Sequence, residues 1–172
     1  MVLGLILFFL LIFLLGILSM VWPPDSPWSP WWRTSNTKAR EILKFAKVTK
    51  KDTLYELGSG EGRVLITAAK EFGARGVGIE IDPVRFIISK ILIFFYRVSK
   101  KVRIIRGNLF DQDLSSADVV FVYLVPKTLE KLRKQKFSKE LKKGTRIVSL
   151  KYPVGLPLSE KDADNNLFLY II

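Results

Sequence analysis

Hydrophobic positions follow two different rhythms along the chain. Residues 2–22 are Leu, Ile, Phe and Val relieved by little more than Gly4, Gly16, Ser19 and Met20, and no ionisable side chain precedes Asp25. About 20 apolar residues at 1.5 Å each cover the roughly 30 Å hydrocarbon core of a bilayer. A signal peptide instead has a shorter apolar region, a basic start and small residues at its cleavage site. The pattern predicts one N-terminal transmembrane helix over 1–22, with the lipid bilayer as its partner through residues 2–22. Next come Pro23, Pro24, Pro27 and Pro30, an extended juxtamembrane linker over 23–35. From residue 36 the rhythm changes. Ser35 or Asn36 suits the cap of a helix with Ile42, Leu43 and Ala46 on one face. Strand-like runs at 53–57, 76–80, 102–106, 118–124, 145–150 and 167–172 are then interleaved with helical ones at 62–71, 83–98 and 127–141. Such alternation predicts an α/β domain over 36–172: a mostly parallel sheet with helices on both faces.

Aromatic placement and charge refine the first segment. All four Trp (Trp22, Trp28, Trp31 and Trp32) follow the apolar run, where amphipathic rings suit the headgroup region. Lys and Arg begin immediately afterwards at Arg33, Lys38, Arg40, Lys44 and Lys47, so the positive-inside rule predicts a single-pass membrane protein with its domain on the cytoplasmic side. Over the whole chain, 28 Lys and Arg against 16 Asp and Glu give a formal charge of +12. That excess points to an anionic neighbour: nucleic acid, a lipid surface or an acidic protein. The absence of Cys and His excludes disulfide scaffolds, Cys/His zinc sites, cysteine nucleophiles and Ser-His-Asp triads. No metal is expected.

The candidate chemistry sits in Glu56-Leu57-Gly58-Ser59-Gly60-Glu61-Gly62-Arg63, between the first strand and the first helix of the alternation. In doubly wound sheets ligands bind at the carboxyl ends of strands, and closely spaced glycines let backbone approach them. A Walker loop needs Lys then Ser or Thr after its last Gly, and here Arg63 and Val64 follow. A dinucleotide fingerprint needs a third Gly where Arg63 stands. What remains is Gly-x-Gly-x-Gly preceded by the acid Glu56, with a second acid, Glu80, closing the second strand, where it can hold ribose hydroxyls. No phosphate-grasping Lys is present, so a ligand with a cationic end and a nucleoside end is favoured, and S-adenosylmethionine has both.

These motifs, with Gly78-Ile-Glu80-Ile81-Asp82-Pro83, Gly107-Asn108-Leu109-Phe110 and the run from Asp118 to Pro126, resemble class I S-adenosylmethionine-dependent methyltransferases. More narrowly, the chain is similar to the small membrane-anchored protein-lysine methyltransferases of the ATP synthase c-subunit and adenine nucleotide translocase type. The resemblance implies a Rossmann-like sheet with an abbreviated C-terminal end and S-adenosylmethionine as cofactor. It also implies that Glu56 contacts the methionine amino end, that Gly58, Ser59, Gly60, Gly62 and Ile81 line the cofactor, and that Glu80 holds the ribose. Asn108 and Leu109 then flank the adenine, with Asn108 standing where the family usually has Asp.

Methyl transfer to an amine is an in-line displacement that asks the protein for orientation and a desolvated site. Tyr123, at the end of the fourth strand, is the candidate for guiding a substrate lysine. The expected partner is a membrane-associated protein. Adenine-type base methyltransferases carry an Asp/Asn-Pro-Pro-aromatic run where this chain has Tyr123-Leu124-Val125-Pro126, which argues against nucleic acid. An RNA methyltransferase and a non-catalytic membrane module that retains the cofactor fold stay open as alternatives.

Overall fold

The computed structural model describes residues 2–21 and 33–172, apart from the side chains of residues 18–21. The first helix of the domain, α2 (Asn36–Phe45), follows α1 (Val2–Val21) and is capped by Ser35, whose hydroxyl accepts from the Lys38 N–H at 3.1 Å. Then come β1 (Thr53–Leu57), α3 (Arg63–Thr67), β2 (Arg75–Glu80), α4 (Pro83–Phe95), β3 (Val102–Arg106), β4 (Val119–Val122), α5 (Pro126–Leu132), β5 (Arg146–Leu150), β6 (Glu160–Asp162) and β7 (Leu167–Ile171).

The strands form one sheet in the order β3-β2-β1-β4-β5-β7-β6. The first five are parallel, and β7 runs antiparallel between β5 and β6. One core joins Ile42 and Leu43 of α2, Leu65 of α3 and Ile93 of α4 to Phe121 and Leu169 of the sheet; the other joins Leu129, Leu132 and Phe137 to Leu57, Ile79, Val120 and Tyr170. The winding reverses at β1 and β4, which opens a crevice over their carboxyl ends.

Most of the expected elements form, with local differences. The helix expected over 62–71 is α3 continued by a π-turn, Ala68–Phe72, and stopped by Gly73 at φ 73°. The helix expected over 127–141 likewise passes into a π-turn, Arg133–Phe137, and ends in a short turn, Ser138–Glu140. The strand expected over 118–124 is β4, Val119–Val122, and Val125 stays extended before Pro126 opens α5. Strand β6 is unanticipated, since its residues Glu-Lys-Asp carry no apolar alternation.

The N-terminal expectation needs correction. Among the described residues no helix is long and apolar enough to cross a membrane. Single-pass anchoring, with the domain placed on the cytoplasmic side, is therefore overturned. The expected belt of Trp22, Trp28, Trp31 and Trp32 lies outside the described residues.

Candidate active site

Between β1 and α3 the chain turns back through residues 58–62, where Gly58, Gly60 and Gly62 have φ of 79°, 53° and 76°. These left-handed values are why glycine recurs at every second position. The turn is held by β2. The Gly58 and Ser59 N–H groups both donate to the Ile79 carbonyl at 2.9 Å, and the Gly60 N–H donates to Glu80 Oε2 at 2.7 Å. The other Glu80 oxygen accepts from the Asp82 N–H at 2.9 Å. Gly78 allows the loop to lie against the strand, since a Cβ there would stand 2.6 Å from Ser59 Oγ and 2.5 Å from Ile104 Cδ1.

The same edge collects the remaining candidates. The Gly107 N–H donates to the Glu80 carbonyl at 3.0 Å, tying the turn that carries Asn108 and Leu109 to the end of β2. Ile81 follows Glu80 and is half-buried. Tyr123 follows Val122, which is in register with Leu57, so this half-buried ring stands beside the start of the glycine loop. Asn108 is exposed, and its Oδ1 accepts from the Phe110 N–H at 3.0 Å, capping a 3₁₀ turn over Leu109–Asp111. The side-chain oxygen of the residue expected to flank the adenine is thus shared with the backbone.

Glu56 and Glu80 lie on adjacent strands, 6% and 4% exposed. Burial pushes the Glu56 carboxyl well above the usual carboxylate range, the Glu80 charge pushes it further, and the Leu65 N–H pulls it back. Glu80 is also raised by burial, against the opposing pull of the Asp82 and Gly60 N–H groups. Among the described residues, Glu56 Oε2 and Ser59 Oγ are buried without a hydrogen-bond partner. Orphaned buried acceptors beside a second acid suit a ligand with a cationic, hydrogen-bonding end.

Glu61 acts as a clamp that sequence reasoning misses. Its carboxylate accepts from Arg33 at 3.0 Å and Arg63 at 2.7 Å, and Arg63 also donates to Asn36 Oδ1 at 2.8 Å. The segment before α2, the loop and the start of α3 are fastened together, and no periodicity marks such contacts. Asp82 stands out in the sequence only as part of a motif, yet it caps α4 by accepting from the Arg85 N–H at 2.8 Å.

The family described as the ANTKMT methyltransferase domain matches residues 56–158, beginning at Glu56 and running past β5. The chain belongs to this family. A protein-lysine N-methyltransferase of Saccharolobus islandicus (strain REY15A) is 35% identical over 161 residues, covering 89% of this chain and 98% of that one. An ATP synthase c-subunit lysine N-methyltransferase of Caenorhabditis elegans is 27% identical over 74% of this chain and 63% of its own length. Among solved structures, an RNA methyltransferase from Salinibacter ruber bound to S-adenosyl-L-homocysteine superposes with a TM-score of 0.75 at 35% identity, covering 82% of this chain and 94% of that one. This ANTKMT-type chain is an S-adenosylmethionine-dependent methyltransferase. The glycine cradle and the orphaned Glu56 and Ser59 oxygens fit that cofactor.

Proposed function

We propose that the chain transfers the methyl group of S-adenosylmethionine to a lysine side chain of a protein. The observation that carries this reading is the buried Glu56 carboxylate, with one oxygen unpartnered beneath the glycine loop, in a chain similar to a named protein-lysine methyltransferase. In this reading Glu56 receives the methionine amino group, and Gly58, Ser59, Gly60, Gly62, Ile81 and Leu109 line the cofactor. Glu80 accepts from ribose hydroxyls with the lone pairs that Gly60 and Asp82 leave open. Asn108 flanks the adenine. The cofactor supplies a methyl group on sulfonium sulfur. The acceptor must arrive as a neutral amine, and the half-buried surroundings of Tyr123 favour that form because desolvation lowers an ammonium pKa. Tyr123 then guides the amine into line.

We extend the reading to a lysine on a membrane-associated protein. Relatives named for the ATP synthase c-subunit support it, as does the exposed apolar face of α4 (Ile87, Ile91, Phe94 and Phe95). A second reading, with RNA as acceptor, is favoured by the Salinibacter ruber neighbour and opposed by the Tyr123-Leu124-Val125-Pro126 strand end.

The test is transfer of radiolabelled methyl into membrane proteins and into RNA, with Glu80→Ala as control. Protease-sensitive label recovered as methyl-lysine, and lost in the variant, supports the lysine reading. Nuclease-sensitive label replaces it with the RNA reading.

A further inference from the structure

The opposite end of the sheet carries a second site. Strand register places Thr53 beside Arg75 across β1 and β2, with the Lys101 carbonyl just before β3 accepting from the Gly76 N–H at 2.9 Å, and Tyr55, Val77 and Arg103 in the next row on the same face as Thr53 and Arg75. The connection from β3 to β4 contains only the turn Leu109–Asp111, so no helix covers this end of the face. A cleft of about 780 Å³ opens there, lined by the cations Lys51, Arg75, Lys100, Lys101, Arg103 and Lys142 and by a single acid, Asp118. That acid is already engaged: it accepts from Lys142 Nζ at 2.7 Å and from the Thr53 N–H at 2.8 Å. Among the described residues, the side chains of Lys51, Arg75, Lys100 and Arg103 make no ion pair or hydrogen bond. Clustered like charges without counter-charge repel one another, and a bound polyanion relieves that repulsion.

We propose that this cleft binds a compact polyphosphate anion, a ligand carrying two or more linked phosphates. Arg forks and Lys ammonium groups match phosphate oxygens, and the hydroxyls of Ser99 and Ser116 at the rim add donors. The volume lies in the range of small-ligand pockets. The lining disfavours a base-stacking ligand: its one aromatic side chain, Tyr55, is 3% exposed and occupied at its hydroxyl by Ser116 Oγ at 2.9 Å, so no ring face is offered to a base. The cleft lies at the amino ends of the strands, about 13 Å along β1 from the glycine loop at 3.3 Å per residue. It is thus separate from the methyl-transfer crevice.

The test is isothermal titration of the full chain with sodium tripolyphosphate in 0.15 M salt, roughly physiological ionic strength, beside an Arg75→Gln/Arg103→Gln variant. Binding that the variant weakens at least tenfold, with S-adenosylhomocysteine affinity unchanged, supports the proposal whatever the methyl acceptor proves to be. Undetectable tripolyphosphate binding, or equal binding to the folded variant, overturns it. Tighter variant-sensitive binding of an unphosphorylated single-stranded oligoribonucleotide overturns it in favour of a phosphodiester chain, and tighter binding of an oligoglutamate peptide overturns it in favour of an acidic protein segment.

Discussion

Burial and the neighbouring Glu80 charge raise the Glu56 carboxyl well above the usual carboxylate range, and this makes its titration measurable. Between the ordinary carboxylate pKa near 4.5 and the raised folded value, the native state binds more protons than the unfolded chain. Stability contributed by Glu56 is therefore full below that window and falls as pH rises through it. Glu56→Gln keeps the shape without the titration, so in urea denaturation its stability relative to the parent should increase as pH rises above the ordinary carboxylate value. A pH-independent difference would show that the carboxyl is not raised. Cofactor binding runs the other way, since a cationic amino group needs the ionised acid. S-adenosylhomocysteine affinity should rise with pH over the same window, with proton release visible by calorimetry in two buffers. Glu56→Gln should weaken that affinity by roughly tenfold or more, the scale of one hydrogen bond to a charged group. Gly78 tests packing instead of charge. The contacts a Cβ would make below 3.0 Å with Ile104, Ser59 and Leu65 make Gly78→Ala an overpacking change of about 1–3 kcal/mol. It should lower Tm and cofactor affinity together, and an unchanged Tm would mean the loop can retreat from β2 freely.

Elements here are joined by polar ties as much as by apolar faces. Arg146, at the start of β5, donates to the Ala46 and Lys47 carbonyls at 2.8 and 2.7 Å, satisfying the exit of α2, and pairs with Asp52 just before β1. Asp52 also accepts from the Thr49 N–H at 2.6 Å and the Thr49 hydroxyl at 2.9 Å. Asp52 is 7% exposed, so Arg146→Met strands a buried charge and should cost about 3 kcal/mol, read by denaturation. Asp52→Asn/Arg146→Met should recover part of the loss, as removing both charges is cheaper than removing one. Such ties are invisible in the sequence, because neither residue lies on a periodic face. The strand-like runs, by contrast, place β1 and β3 to the residue, because each is a short stretch bounded by a charged residue and a glycine and carries β-branched, aromatic or leucine side chains at its core positions. The π-turns after α3 and α5 are illegible because each is a single turn built from ordinary helix-compatible residues, too short to show a phase shift in the apolar pattern. In the site, the glycine loop and its two acids are legible because backbone geometry and a ligand's charge both constrain residue type. The Glu61 clamp is not, because its arginines come from segments far apart in sequence.

At the scale of the whole molecule the sheet is polar along its strands, with glycines and acids at one end and unpaired cations at the other. Its integrity rests on the last strand. β7 is inserted between β5 and β6, sends Leu167 and Leu169 into one core and Tyr170 into the other, and places the Tyr170 hydroxyl 3.1 Å from the Val154 N–H that donates to it. Burial of each such side chain contributes about 1.5–3 kcal/mol. Three together approach the 5–15 kcal/mol that typically separates a native domain from its unfolded chain. Ending the chain at Asn166 also bares the edge of β5 and leaves β6 unpaired, so a strand in the middle of the sheet becomes an exposed template for association. The truncated protein should lose its cooperative thermal transition and its near-ultraviolet circular dichroism, and S-adenosylhomocysteine should no longer raise its Tm. Tyr170→Phe separates the hydroxyl from the strand: it leaves the Val154 N–H buried without its acceptor and should cost about 1–2 kcal/mol while the transition stays cooperative. A truncated chain that still melts cooperatively at the parent temperature would mean that β1 to β5 fold alone, and that the strand closing both cores does not hold them.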